Sequence, residues 1–248
     1  MTMHKKNIFT VMTHDRLTEK TYAMTLVGDT STFKAPGQFV NIAIEGKYLR
    51  RPISVCDYDD RMVTLLYNIV GDGTREMSRW LPGQKVDMLT GLGNGFNLRA
   101  GADSPVLLGG GIGIAPLYNL AKRLVGMDVQ PTVVLGFNTR EEMIWTEQFA
   151  ELCPTYVSTV DGSFGTPGFV TDAIRDNEID FDYFYACGPM PMLKALCESL
   201  PSDGEVSLEE RMACGFGICM CCCIETKSGM KGVCKAGPVF KKDELIWK

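Results

Sequence analysis

Six of the ten cysteines in this sequence lie close together near its C-terminus, between residues 211 and 240. Four of them form a spaced set: Cys214, Cys219, Cys222 and Cys234. Their spacing, C-x4-C-x2-C-x11-C, begins like that of plant-type [2Fe–2S] sites, in which the fourth ligand is more distant. Glycines within the run permit the tight backbone that wraps a cluster. The sequence therefore predicts a [2Fe–2S] cluster held by these four thiolates.

Two other roles for the cysteines stay open. Structural zinc can also bind four cysteines, although it favours paired C-x2-4-C knuckles, and here a close run faces one distant cysteine. A disulfide framework needs an oxidising compartment, and residues 1–20 are too polar for a secretory signal. Cys221 and Cys223 flank Cys222, and only the spacing selects Cys222 among the three.

The composition limits the possible function classes. The chain has 248 residues and a net charge of −5, from 25 basic and 30 acidic side chains, so we expect no nucleic-acid partner. No apolar run approaches the ~20 residues of a membrane span, and we expect a cytoplasmic protein without a membrane partner. His4 and His14 are the only histidines, which argues against histidine acid–base catalysis and favours chemistry supplied by cofactors.

The first half of the chain is rich in short apolar segments separated by Gly, Pro and Asp turns, a pattern typical of β-strands. The six predicted strands are 8–12, 21–27, 38–44, 53–57, 62–69 and 85–89. Such a series predicts a small antiparallel barrel. A short helix is predicted at 76–80, opening after Gly73 and Thr74.

From about residue 104, strands alternate with helices, which predicts a parallel α/β sheet. The predicted strands are 105–108, 132–136, 156–160 and 183–186. The predicted helices are 114–125, 141–151, 170–175 and 190–200. The change of pattern near residue 100 predicts a domain boundary there.

One candidate binding stretch, Arg51-Pro52-Ile53-Ser54, lies at the start of a predicted barrel strand. An arginine can hold a pyrophosphate through two hydrogen bonds, and a nearby hydroxyl can reach the edge of a flavin ring. Taken alone, the stretch is explained more simply by a surface arginine beside an edge-strand proline.

A second stretch is GDGT at residues 71–74, which includes Gly73 and Thr74. The N–H groups of a glycine-rich turn that opens a helix can bind phosphate. An ordinary β-turn accounts for the same residues equally well.

The sharpest stretch is LLGGGIGIAP at residues 107–116, where a buried strand runs into glycines and a helix follows at once. A dinucleotide pyrophosphate binds at such a position, on a helix N-terminus at the carboxyl edge of a sheet. The pattern departs from G-x-G-x-x-G, because Pro116 follows Gly111 and Gly113 at the third glycine position. Nucleotide binding is favoured over a plain strand–helix turn.

Cys187-Gly188-Pro189 also follows a predicted strand and precedes a predicted helix. In a parallel sheet this places it at the same edge as the glycine-rich turn. A structural cysteine before a helix that begins with proline is the simpler explanation of this stretch by itself.

In combination, RPIS (residues 51–54), GGGIGIAPL (109–117) and CGPMPM (187–192) resemble the ferredoxin–NADP reductase superfamily of flavin reductases, over about residues 5–200. With the cysteine-rich C-terminus, the whole chain resembles the electron-transfer subunits of type B dihydroorotate dehydrogenases. One departure lies at residues 90–96, TGLGNGF, which lacks the proline of the family's usual GPLGNGF.

The resemblance implies a multidomain β plus α/β protein with three parts: a six-stranded antiparallel FAD-binding barrel at 1–99, a parallel α/β NAD-binding domain at 100–203 and a small [2Fe–2S] segment at 204–248. The implied FAD contacts are Arg51, Pro52, Ile53, Ser54, Asn68, Ile69, Val70, Gly73 and Thr74. The implied nicotinamide nucleotide contacts are Gly111, Gly113, Cys187, Gly188 and Pro189. The implied cluster ligands are the four spaced cysteines.

The resemblance also implies a function. NAD(H), FAD and the cluster exchange electrons with an FMN-containing catalytic subunit that oxidises dihydroorotate to orotate in pyrimidine biosynthesis, in a heterotetramer with two copies of each subunit. The exposed face of the cysteine-rich segment is predicted to dock that subunit. Two alternatives stay open: a related NAD(P)H–ferredoxin oxidoreductase or hydrogenase-linked diaphorase subunit, and a non-enzymatic scaffold that binds metal and nucleotide.

Overall fold

Residues 4–98 and 102–247 are described by a computed structural model. The predicted division between residues 99 and 100 lies outside them. Across these two ranges, no helix has the length and apolar character required to cross a membrane.

The first sheet is a closed six-stranded antiparallel barrel with the order β1-β2-β5-β4-β3-β6. Its strands are β1 (Lys5–Arg16), β2 (Thr21–Val27), β3 (Phe39–Ile42), β4 (Arg51–Tyr58), β5 (Met62–Asn68) and β6 (Lys85–Leu92). Alternate apolar side chains point inward, so that Phe9, Met24, Leu65 and Met88 are fully buried. Each strand buries one face in the interior of the barrel. Because the sheet closes on itself, it has no free edge. The predicted barrel is confirmed.

Helix α1 differs from its prediction, because it spans Asp72–Met77 and not residues 76–80. Gly73 and Thr74 therefore lie inside the first turn of the helix. The backbone of Gly71 is extended, and the Thr74 side chain folds back onto it. A polar side chain that returns to the preceding backbone starts a helix at this point.

The second sheet has seven strands in the order β10-β9-β8-β7-β11-β12-β15. They are β7 (Pro105–Gly110), β8 (Thr132–Phe137), β9 (Thr155–Thr159), β10 (Thr166–Pro167), β11 (Tyr183–Cys187), β12 (Asp203–Ser207) and β15 (Val239–Lys241). All neighbours pair in parallel except β12 and β15. Helices α2 (Ala115–Val125), α4 (Val170–Asp176) and α5 (Met190–Ser199) connect the strands. The predicted parallel α/β sheet is confirmed.

The helix predicted over residues 141–151 is broken in the structure. A short 3-10 turn at Arg140–Glu142 is followed by α3 (Thr146–Ala150). Between them Trp145 adopts a left-handed backbone with φ 55°, and its ring packs edge-on against Tyr118, with ring centroids 4.8 Å apart. Packing of the tryptophan on α2 stabilises a backbone conformation that continues neither helix.

The C-terminal segment is joined to the α/β sheet. Strand β12 crosses the predicted division between residues 203 and 204, and β15 adds an antiparallel edge strand beside it. Between these two strands lie a hairpin, β13 (Cys223–Thr226) and β14 (Gly229–Gly232), and a short helix α6 (Val233–Ala236). The cysteine-rich residues are thus held at both ends by the sheet.

Candidate cofactor and cluster sites

Arg51 lies against the first turn of α1. A Cβ placed on the buried Gly73 would overlap the Arg51 guanidinium, so the absent side chain leaves room for the arginine. A guanidinium beside the backbone N–H groups of a glycine-rich turn is suited to a pyrophosphate. The residues present here fit the diphosphate of FAD.

Thr74 shapes this turn. Its Oγ1 accepts hydrogen bonds from the N–H groups of Val70 at 2.9 Å and Gly71 at 3.2 Å, and donates one to the Gly71 carbonyl at 3.1 Å. The hydroxyl is therefore occupied by the backbone, and what the turn offers a ligand is its N–H groups. Val70 itself is 85% exposed.

The other predicted FAD residues lie next to this turn. Pro52, Ile53 and Ser54 follow Arg51 along β4 and are half-buried. Antiparallel pairing of β4 with β5 brings the start of β4 beside the end of β5, where Asn68 and Ile69 lie. Asn68 accepts a hydrogen bond from the Thr21 hydroxyl at 2.7 Å, which fixes its side chain. The structure thus places the nine predicted residues on β4, at the end of β5 and in the turn that follows, toward one end of the barrel.

Gly73→Ala is expected to weaken FAD binding about 10- to 100-fold, because displacement of Arg51 removes charge-assisted hydrogen bonds worth ~1.5–3 kcal/mol. The matched control is Gly126→Ala at the end of α2, away from this turn, since its backbone is right-handed and a Cβ there meets no atom closer than 3.3 Å. Flavin titration of the apoproteins measures both constants. Equal affinities for the two variants would contradict the assignment of Arg51.

The glycine-rich turn after β7 packs directly on the loop after β11. A Cβ on Gly113 would lie 2.5 Å from the Cys187 carbonyl oxygen and 2.7 Å from the Gly188 Cα. A Cβ on Gly110 would likewise lie 2.9 Å from the Pro189 ring. Parallel pairing of β7 with β11 places Cys187 opposite Gly109, which creates this contact. The structure therefore brings the predicted nicotinamide residues together at one sheet edge.

Gly111 and Cys187 differ in character within this site. Gly111 has φ 54°, and a Cβ there would meet nothing within 4 Å, so its backbone faces open space that a nucleotide can fill. Burial raises the pKa of the Cys187 thiol to about 12. The thiol is therefore neutral at pH 7 and acts as a small apolar group at the predicted nucleotide site.

The four spaced cysteines converge as two pairs. The Cys219 side chain and backbone N–H lie against the Cys214 thiol, and Cys234 lies against Cys222, whose Sγ accepts the Cys234 N–H at 3.4 Å. Cys214 and Cys234 also interact across the two pairs. Two pairs of thiols facing each other are what two bridged iron atoms require, with two cysteines for each iron.

The backbone around Cys214 favours its thiolate. Burial alone raises the pKa of the Cys214 thiol, but three backbone N–H groups from residues 216–219 lower it to about 6. The Ile218 N–H donates to its Sγ at 3.4 Å. Gly215 and Gly217, with φ of 78° and 91°, turn these N–H groups toward the sulfur. Burial, then the neighbouring Cys222, raises the pKa of Cys234 to about 12.

Burial separates the three consecutive cysteines. Cys222 is 2% exposed, whereas Cys221 is exposed and Cys223 is half-buried at the start of β13. Across residues 4–98 and 102–247, no three or more His, Cys, Asp or Glu side chains are grouped as ligands of one metal ion. The cysteines that face each other do so in pairs.

Asn94 joins the C-terminal segment to the barrel, a role that was not predicted from the sequence. Its side chain donates to the carbonyls of Ala236 at 3.1 Å and Val239 at 2.8 Å, and accepts from the Val239 N–H at 3.1 Å. A Cβ on the neighbouring Gly93 would lie 2.6 Å from the Pro238 ring. The signal was the asparagine flanked by glycines in TGLGNGF, since glycines permit close backbone approach.

Comparisons with known proteins show similarity over both the α/β sheet and the cysteine-rich segment. Residues 209–246 match the iron–sulfur cluster binding domain of dihydroorotate dehydrogenase B, and residues 107–198 match the oxidoreductase NAD-binding domain. The dihydroorotate dehydrogenase B (NAD(+)) electron transfer subunit of Geobacillus sp. (strain WCH70) is 46% identical over 98% of this chain and 100% of its own length. The chain belongs to this family. The subunit of the same name from Fusobacterium nucleatum is 42% identical over 95% of this chain and 96% of its own length.

Solved structures of other proteins share the fold of this chain. A structure of an NADH-dependent reduced ferredoxin–NADP oxidoreductase, described in work on flavin-based electron bifurcation, covers 96% of this chain and 90% of its own, with TM-score 0.87 and 30% identity. A ferredoxin–NADP reductase from Neisseria gonorrhoeae shares the fold at TM-score 0.64 and 18% identity. These findings support FAD, NAD(H) and an iron–sulfur cluster as the cofactors of this electron transfer subunit.

Proposed function

We propose that this chain passes electrons between NAD(H) and the catalytic subunit of a dihydroorotate dehydrogenase B, by way of FAD and a [2Fe–2S] cluster. When bound, FAD and the cluster supply the conversion between two-electron and one-electron transfer. The chain's own residues bind and orient these groups. The proposal includes a cytoplasmic heterotetramer of two subunits of each kind, in which the FMN-containing partner oxidises dihydroorotate to orotate.

The observation that carries the proposal is the contact between the barrel and the paired cysteines. Phe39 and Leu92 of the barrel share one buried apolar cluster with Cys222, Val233 and Cys234. A cysteine segment packed on the barrel in this way, and not free in solution, has a fixed position relative to the proposed FAD residues. A fixed separation is what electron transfer between two bound groups requires.

We assign the flavin to Arg51, Pro52, Ile53, Ser54, Asn68, Ile69, Val70, Gly73 and Thr74, and the nicotinamide nucleotide to Gly111, Gly113, Cys187, Gly188 and Pro189. We assign the cluster to the four spaced cysteines in their two pairs. The zinc alternative requires all four thiolates at one tetrahedral centre, whereas the pairs suit two irons. The proposed parts remain a barrel to residue 99, an α/β domain to 203 and a cluster segment to 248, with β12 shared between the last two.

The docking surface that we propose for the catalytic subunit lies over the cysteines. Ile218, Met220 and Met230 are 75%, 67% and 61% exposed. Met220 and Met230 line a surface depression of about 440 Å³ that also includes Cys222 and Cys234. Exposed apolar side chains grouped in one place mark an interaction site, and methionine adapts well to a partner surface.

Met230→Asp is expected to weaken the complex with the catalytic subunit about 30-fold or more, because burial of a charge at an interface centre costs ~2 kcal/mol or more. The control is Leu81→Asp, which changes an apolar side chain that is 70% exposed on a barrel loop. Sedimentation or calorimetric titration of the two subunits gives the dissociation constants. Equal losses in both variants would place the docking surface elsewhere.

One experiment tests the proposed function directly. The chain, purified without oxygen, should show flavin absorption with the broad shoulders of a [2Fe–2S] cluster, and NADH should bleach the flavin. A colourless protein with one zinc per chain would contradict the proposal. The subunit that co-purifies should oxidise dihydroorotate. If it instead reduces ferredoxin, the chain belongs to the related oxidoreductase that its 30% identical structural relative represents.

A further inference from the structure

Asn41 joins the barrel to the loop of the first proposed cluster ligand. It lies in β3, has no exposed surface, and its Nδ2 donates to the backbone carbonyl of Cys214 at 3.2 Å. A Cβ on Gly215 would lie 2.5 Å from the same Nδ2. Gly215 therefore allows the amide group to approach the cysteine loop closely.

The same residue also contacts the strand that carries the proposed flavin residues. Asn41 lies opposite Pro52 in the register of β3 with β4. Its backbone carbonyl accepts a hydrogen bond from Arg50, the residue before Arg51, at 3.2 Å. Asn41 is thus a single residue that contacts both the proposed flavin strand and the Cys214 loop.

The stability of the barrel does not account for an asparagine at this position. The Oδ1 atom of Asn41 is buried and has no hydrogen-bond partner in the described part of the chain. A buried acceptor without a partner costs ~1–3 kcal/mol, which an apolar side chain of the same shape avoids. The neighbouring strand positions Phe39, Val40 and Ile42 are all apolar and buried. The amide is present despite this cost, and the one hydrogen bond that its side chain makes to the described residues is with the Cys214 carbonyl.

We propose that Asn41 is a positioning residue for the iron–sulfur cluster: its bond to the Cys214 carbonyl fixes the Cys214 loop on the barrel, and with it the Ile218 N–H that donates to the Cys214 sulfur. The inference rests on the proposed function, because it assigns Cys214 to the cluster. N–H groups that donate to a ligand sulfur raise the cluster potential, because they stabilise the reduced, more negative form. Loss of the Asn41 amide releases the loop that carries these N–H groups, and therefore lowers the cluster potential and makes its reduction by the flavin less favourable.

The test compares Asn41→Leu with a matched control, Asn7→Leu, in the full chain. Asn7 is also a buried barrel asparagine, and its side chain bonds to the Thr90 hydroxyl at 3.0 Å, within the barrel. We expect Asn41→Leu to lower the cluster potential and to slow cluster reduction after mixing with NADH about tenfold, in line with the effect of other partners of metal ligands. FAD content, flavin reduction and the melting temperature should match those of Asn7→Leu.

A second readout needs no cluster. In the cluster-free protein, the amides of residues 215–219 should exchange hydrogen faster in Asn41→Leu than in Asn7→Leu, because the loop has lost its bond to the barrel. Gly215→Ala, which pushes a methyl group against the Asn41 amide, should reproduce both the faster exchange and the lower cluster potential.

Three results would overturn the inference. The first is an Asn41→Leu protein that equals the wild type in potential, reduction rate and exchange. The second is a general loss of stability and of FAD, which would assign Asn41 to the barrel alone. The third is a wild-type protein with flavin but no [2Fe–2S] signal, which would overturn the proposed function as well. The first two leave the proposed function intact, so the failures are distinguishable.

Discussion

Cys222→Ser is expected to abolish the [2Fe–2S] cluster, whereas Cys221→Ser and Cys223→Ser retain it. Cys222 is 2% exposed, and its Sγ accepts the backbone N–H of Cys234 at 3.4 Å. Its sulfur is therefore turned inward, toward the other member of its pair. A serine oxygen is a poor substitute, because iron–sulfur clusters are held by thiolates. Iron should fall from roughly two atoms per chain to near zero.

The two neighbouring cysteines are the matched controls, since each change removes one sulfur from the same three-residue run. Cys221 is exposed and Cys223 is half-buried in the hairpin. Iron analysis and the low-temperature EPR spectrum of the dithionite-reduced proteins separate the three variants. Loss of the cluster in Cys221→Ser or Cys223→Ser, with Cys222→Ser unaffected, would reassign the third ligand.

Gly113→Ala is expected to weaken NAD(H) binding about 10- to 100-fold. A Cβ on Gly113 would lie 2.5 Å from the Cys187 carbonyl oxygen and 2.6 Å from its carbonyl carbon. These are backbone atoms of a strand end and cannot rotate away, so the two loops must separate. Such overpacking costs ~1–3 kcal/mol, and here the strain falls on the proposed nucleotide site. The dependence of flavin reduction on NADH concentration measures the change.

The control is Gly126→Ala, at the other end of α2. Its backbone is right-handed, with φ −66°, and a Cβ there would meet no atom closer than 3.3 Å. It should bind NADH as the wild type does. Both variants should keep their FAD and cluster spectra, because the contacts of these two glycines lie in the loop after β11 and in α2, and not at Gly73 or at the four spaced cysteines. A Gly113→Ala protein with unchanged NADH affinity would remove this loop from the nucleotide site.

Local patterns in the sequence were sufficient to predict the architecture. The alternation of apolar residues and the turns between them indicated six barrel strands, and strands alternating with helices indicated the parallel sheet. These signals are read within about ten residues. The prediction of a helix over residues 141–151 was wrong because a local pattern does not record distant contacts. The left-handed Trp145 is stabilised by Tyr118, which lies far away in the sequence.

The sequence by itself determined the family, the barrel and sheet, and the types of group that could bind cofactors: an arginine before a strand, glycines after strands, and cysteines at a cluster spacing. Only the tertiary structure decided which of these groups meet. It placed Arg51 against Gly73 and Gly113 against Cys187, and it brought Asn41 to Cys214. It also paired the cysteines and buried Cys222 beside the exposed Cys221. The physical reason is that the contacts of Arg51, Gly113 and Asn41 depend on strands that bring distant segments together, such as β7 with β11, which no local pattern records.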